Sequence, residues 1–155
     1  MAEPRALLAS LACAAVVTAC GSRSVSPIGD AALQADSFVL TDILAGDIDK
    51  AHVFCEYTSK DTGAQLGFDP EDFFDVDDRS QKWETYTGIG VTYSDGSPPT
   101  VEWFDPRTVD ACPDYYNPGQ EIDPRAPITV ERKEVQFSDG GTSAVSYTHL
   151  RAHET

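Results

Sequence analysis

The sequence predicts an α+β fold, an antiparallel β-sheet with a covering N-terminal helix in a small single domain. Three stretches carry that expectation. Leu33, Leu40, Ile43 and Leu44 recur at helical spacing. Thr85 to Tyr93 alternates and is answered, across a Gly- and Pro-rich turn, by Thr100 to Phe104. Ile128 to Phe137 reads as a last strand. One helix followed by strands in hairpins places the helix over the sheet.

In chain order, Gly21 to Gly29 has the small polar composition of a tether. Asp30 is placed to cap a helix that Phe38 and Val39 broaden and that ends near Ala45, with Gly46 as C-cap. Asp47 to Lys50 turns into a strand over Ala51 to Tyr57, rich in aromatic and β-branched residues, with Cys55 in its body. Thr58 to Gly67 is polar, with room for one helical turn, and Phe68 to Asp78 is the most acidic segment. In the strand after it, Thr87, Ile89, Val91 and Tyr93 share one face. Gly88 and Gly90 share the other, where missing side chains allow close approach of another element, expected to be the N-terminal helix. Val101 and Trp103 share a face of the returning strand, and Asp105-Pro106 stops it. A long loop through Cys112 leads to Ile128. There the apolar phase changes between Ile128/Val130 and Val135/Phe137, which predicts a bulge near Arg132-Lys133. Ser138 to Gly141 reads as another turn.

The two ends of the chain read differently from its body. Ala6 to Ala19 is apolar, preceded by Arg5 and ended abruptly by Gly21-Ser22-Arg23-Ser24. It has the length of a signal-peptide core and falls short of the roughly 20 apolar residues of a membrane span. Val17-Thr18-Ala19-Cys20 resembles the lipobox of bacterial lipoproteins, an aliphatic residue and two small ones before a cysteine. Cys13 fits less well, because Ser10 stands where the aliphatic residue belongs. The resemblance implies a signal peptide over 1–19, lipidation of Cys20 as the first mature residue, a tether over 20–29, and a membrane partner engaged through that lipid. It implies the extracytoplasmic face of the cell membrane, or in a two-membrane cell the periplasmic leaflet of the outer membrane. Gly21 after the cysteine permits such onward export.

Residues 145–155 resemble, in order, the conceptual translation of a transposase-type sequencing adapter, with Ala144 completing the frame. They are therefore left out of the sequence-based fold as an artefact, His149 and His153 with them, and the native C-terminus is expected to lie elsewhere. Residues 30–144 form the expected acidic extracytoplasmic domain, which resembles no named domain family.

The mature part keeps about 124 residues, enough for one modest core. Setting aside Glu3, Glu154, Arg5 and Arg151 from the 26 acidic and 11 basic residues leaves the net charge at −15. Such a field repels nucleic acid, which is excluded as a partner, and favours solubility and cationic partners. In an oxidising compartment the remaining pair, Cys55 and Cys112, is expected to form a disulfide.

Chemistry is harder to find. An EF-hand loop starting at Asp75 needs glycine at its sixth place and glutamate at its twelfth, and those places hold Ser80 and Tyr86. A looser calcium site could draw on Asp69, Asp72, Asp75, Asp77 or Asp78, against the plainer reading of a solvated acidic loop. His52, the sole histidine of the mature part, is expected at a surface or edge. Glu102 and Asp105 are one of many carboxylate pairs, and no nucleophile, zinc or nucleotide motif is present. Trp83, Tyr86, Tyr93, Trp103, Tyr115 and Tyr116 could offer a surface to a glycan or protein, or serve as core. The expected role is a non-enzymatic binding or accessory module of the cell envelope, without cofactor, partnered by an envelope protein or glycan. An envelope enzyme and a calcium-dependent binding domain are the alternatives.

Overall fold

The structure, a computed structural model, describes residues 26–77, 79–112, 118–135 and 145–151. In order they form α1 (Pro27–Gln34), β1 (Ser37–Phe38), α2 (Leu40–Ile43), β2 (Ile48–Phe54), α3 (Lys60–Gln65), a 3-10 turn (Pro70–Asp72), α4 (Lys82–Thr85), β3 (Thr87–Tyr93), β4 (Thr100–Phe104), β5 (Val109–Asp110), β6 (Gln120–Ile122), β7 (Ile128–Val135) and β8 (Val145–Arg151). The fold is α+β, and its strands divide into two sheets, ordered β1-β7-β8-β5 and β4-β3-β2-β6. All pairs are antiparallel except β5 with β8, which is parallel.

The expected single helix over 30–45 is in fact two. α1 starts at Pro27, whose missing N–H is no loss in a first turn, so Pro27 to Gly29 belong to the body rather than to the tether. Asp30 lies inside the first turn instead of capping it, where its charge still suits the helix dipole. The chain then extends, because Phe38 is buried by pairing with Ile128 of β7 and the Asp36 carbonyl accepts the Val130 N–H at 2.9 Å. α2 is a single turn ending at Ile43, and Gly46, at φ +100°, serves the turn into β2 rather than a helix cap.

One core lies between the sheets. Ile28 and Ala32 of α1, Leu40 of α2, Ile48, Ala51, Ile89 and Val91 meet Ile128, Val130 and Leu150 there. The other face of the β4-β3-β2-β6 sheet carries an aromatic cluster of Phe54, Phe68 and Phe73, edged by Leu66, Val101 and Trp103. The glycines of β3 face this cluster and not α1, as the sequence suggested. A Cβ on Gly90 would come 2.6 Å from the Phe54 ring and 2.7 Å from that of Phe68, and one on Gly88 would come 2.9 Å from the Glu102 carbonyl. α1 packs on the opposite face, with Ile89 and Val91.

Two further expectations change. β2 starts earlier and ends at Phe54, so Cys55 follows the strand instead of lying in its body. β7 pairs with β8 in unbroken register from Thr129↔Arg151 to Val135↔Val145, with no bulge at Arg132-Lys133. The phase change reflects Arg132, which takes the next inward position after Ile128 and Val130, beyond the edge of the core, and reaches the C-terminal end of α1. The long loop after β4 contains β5 and β6, two short edge strands. Phe137 and the turn over 138–141 lie outside the described residues. Residues 145–151, left out of the sequence-based fold, form β8 between β7 and β5 and bury Leu150.

Candidate functional site

Cys20 lies outside the described residues. The disulfide does not: Cys55 and Cys112 are bonded, with Cα atoms 5.4 Å apart and a sequence separation of 57. One follows β2 and the other β5, so the bond ties the two sheets together. Beside it, the buried Thr58 hydroxyl donates to the Cys55 carbonyl at 2.6 Å, and the buried Thr87 hydroxyl accepts the Ala111 N–H at 2.9 Å.

His52 is buried, not at a surface or edge. β2 is the central strand between β3 and β6, and both its faces are covered. Ala51 and Val53 face the main core, while the His52 ring stacks on Phe54 at 6.4 Å and meets Phe68 edge-on at 5.9 Å. Its Nδ1 lies 3.0 Å from the Gly119 carbonyl. The imidazole thus ties β2 to the turn before β6, away from solvent.

The carboxylates singled out in the sequence are dispersed over local tasks. Asp69 accepts the Glu71 N–H at 3.0 Å and starts the 3-10 turn. Asp75 pairs with Lys60 at 2.9 Å, which raises the Lys60 pKa above its ordinary value, with Glu71 adding at 3.6 Å. Asp72 is pushed up by loss of hydration and then by the Asp69 charge, and its carbonyl accepts the Trp103 indole N–H at 2.8 Å. Asp77 is exposed, and Asp78 lies outside the described residues. Among the described residues no three His, Cys, Asp or Glu side chains gather as a metal site.

Glu102 and Asp105 have separate partners. Glu102 caps α1, taking the Ile28 N–H at 3.2 Å, the Gly29 N–H at 2.8 Å and the Ser26 hydroxyl. Asp105 accepts from the Arg107 guanidinium at 2.6 Å and from its backbone N–H at 3.0 Å, and Arg107 holds its carboxyl below the usual range.

Of the aromatics, Trp103 packs against Phe54 and Phe73 at 5.9 and 5.5 Å, and Tyr93 is half-buried against the core. Tyr115 and Tyr116 lie outside the described residues. Trp83 lies within α4 and Tyr86 ends it, and a cleft opens on either side of that turn.

One cleft, of about 460 Å³, is lined by Cys55, Glu56, Tyr57, Glu84 and Pro118. Tyr57 is 60 % exposed and holds φ +65°, an unusual state for a bulky residue. Its N–H donates to the Trp83 carbonyl at 2.8 Å, and the two rings meet at 87° with centroids 5.1 Å apart. The Trp83 indole nitrogen is buried with no partner among the described residues. The second cleft, about 420 Å³, runs past Gln81, Lys82, Tyr86 and Arg107. Here Lys82 sits 5.7 Å from the ring centres of both Phe74 and Tyr86.

Sequence reasoning named Trp83 and Tyr86 but missed Tyr57, Glu56 and Glu84. Glu56 and Tyr57 read as the end of the strand over Ala51 to Tyr57, where nothing shows that Tyr57 stays outside. No helix among the described residues is long and apolar enough to cross a membrane. Compared with known proteins, the chain matches no family model, no curated relative and no solved structure.

Proposed function

We infer that this chain is a lipid-anchored, extracytoplasmic binding or accessory module of the bacterial cell envelope, without catalytic activity of its own. The observation that carries the reading is the Cys55–Cys112 bond between the sheets, taken together with the lipobox ending at Cys20. Structural disulfides belong to oxidising compartments, and a lipobox leads to one.

The chain's dimensions fit such a tether. From Cys20 to Ser26 extended chain spans at most about 20 Å, so the lipid would hold the body close to the bilayer, with the capped end of α1 as its point of attachment. The carboxylate pair that the sequence offered for acid–base work, Glu102 and Asp105, has structural bonds instead, as does His52, which supports binding over catalysis. The partner is an envelope protein or glycan. Residues 145–155 retain their reading as translated adapter, for which resequencing of the locus is the test.

Fractionation of cells that express the parent and Cys20→Ser tests the anchor. The parent should sediment with membranes and stay there at high salt, and the variant should be released. A variant that sediments like the parent contradicts the reading.

A further inference from the structure

We propose that the cleft between the end of β2 and α4 is a binding site for small organic ammonium ions, with Tyr57 as its aromatic wall and Glu56 and Glu84 as counter-charges. This rests on the reading of the chain as a binding module, but not on its lipid anchor.

Four observations converge. The cleft, of about 460 Å³ and half open to solvent, has room for a small organic cation. Both glutamates line it, neither carboxylate has an ion pair or hydrogen bond among the described residues, and no lysine or arginine among the described residues lines it with them. Tyr57 holds a large ring 60 % open to solvent from a left-handed backbone state that bulky residues avoid. Its backbone bond to Trp83 and the perpendicular packing of the two rings keep it there. Finally, the net charge of −15 concentrates cations around the whole body.

The chemistry selects among cations. A bare metal ion needs more ligands than two carboxylates, and no third such group joins them among the described residues. A hydrated ion would leave the aromatic wall unused. An ammonium group with alkyl substituents uses both features, the ring face through cation–π attraction and the carboxylates through charge. A neutral polyol could use the ring but not the charge.

The test is calorimetric titration of the full chain, purified in non-ionic detergent, with choline and with n-butylammonium. A neutral isostere of choline, 3,3-dimethylbutanol, is the control. Saturable binding with a Kd on the order of 1 mM or tighter is expected for at least one cation, and binding at least about tenfold weaker for the alcohol. Preference for choline would identify a quaternary ligand and preference for butylammonium a primary amine; both support the site. Tyr57→Ala should weaken binding about tenfold, and Tyr57→Phe, which keeps the ring, by no more than about threefold. Glu56→Gln with Glu84→Gln should weaken it by about tenfold and flatten its salt dependence. Near-UV circular dichroism establishes that each variant is folded. No saturable heat by about 50 mM cation, equal binding of the alcohol, or unchanged binding in the double glutamine variant would overturn the proposal. Fractionation reads the anchor and titration reads the cleft, so either idea can fail alone.

Discussion

The Glu102 carboxylate on β4 accepts the backbone N–H of Gly29 at 2.8 Å, and with it the Ile28 N–H and the Ser26 hydroxyl, so a strand of one sheet supplies the N-cap that α1 lacks. At the other end Arg132, from a strand of the other sheet, donates to the Ala35 carbonyl at 2.9 Å and pairs with Asp36 at 2.7 Å. The acid sits at the positive end of the helix dipole and the base at the negative end. An eight-residue helix, marginal by itself, is thereby clamped between the two sheets.

Removing either clamp should cost stability in proportion to the orphaned groups. Glu102→Ala strips the acceptor from two N–H groups and should cost about 1–2 kcal/mol. Arg132→Ala, at a more exposed site, should cost about 0.5–1 kcal/mol. Since the two residues share no partner, the double variant should be additive to within about 0.5 kcal/mol in urea unfolding. A coupling well beyond that would mean that α1 leaves its seat as a unit.

The link between sheets should matter more than either cap. Opening a loop of 57 residues in the unfolded chain corresponds to about 4 kcal/mol in the chain-entropy account. Replacing both cysteines by serine should therefore lower the urea midpoint far more than the α1 variants do. A loss under about 1 kcal/mol would show that the bond constrains little.

Gly90→Ala probes the aromatic cluster. The new methyl would meet Phe54 and Phe68 at 2.6 and 2.7 Å, closer than any ordinary carbon contact, in a cluster already packed edge to face. The expected cost is about 1–3 kcal/mol, as for other overpacked cores, read by thermal unfolding. A neutral effect would mean that both rings can retreat together.

The pH dependence has a definite sign. The side chain and N–H of Arg107 hold the Asp105 pKa down, and the Ser97 hydroxyl and N–H do the same for Asp95. A carboxylate whose folded pKa is lowered adds stability above its unfolded value of about 4, and loses it as pH falls from there through the folded value. Lys60 is raised, chiefly by its bond to Asp75, so its contribution is present at neutral pH and is lost as pH rises through the raised value. Asp105→Asn with Asp95→Asn should therefore lose less stability than the parent on acidification below about pH 4. Equal acid loss in parent and variant would contradict the assignment.

Much of the frame was legible in the sequence, because the alternation of Thr87 to Tyr93 and the turn at Ser94-Asp95-Gly96 are local signals. The β3–β4 hairpin follows from such signals, and the pairing of Cys55 with Cys112 from their being the two cysteines left in the mature part. What was not legible depended on partners far along the chain. Phe38 reads as helical until β7 is there to pair with it, and His52 reads as an edge residue until β6 and Phe68 cover it. Arg132 looks like a break in a strand because the helix end it reaches lies about a hundred residues earlier, at Ala32. The cleft beside α4 was half visible, in Trp83 but not in Tyr57, since the outward turn of Tyr57 is set by its backbone bond to Trp83.

The chemical nature of the mature N-terminus decides most directly whether the protein is lipid-anchored. Intact-mass measurement of the protein extracted from membranes of its native host should give a chain that starts at Cys20 and carries the added mass of its acyl chains. A chain that starts at Met1, or at any residue without acyl mass, would contradict the anchor.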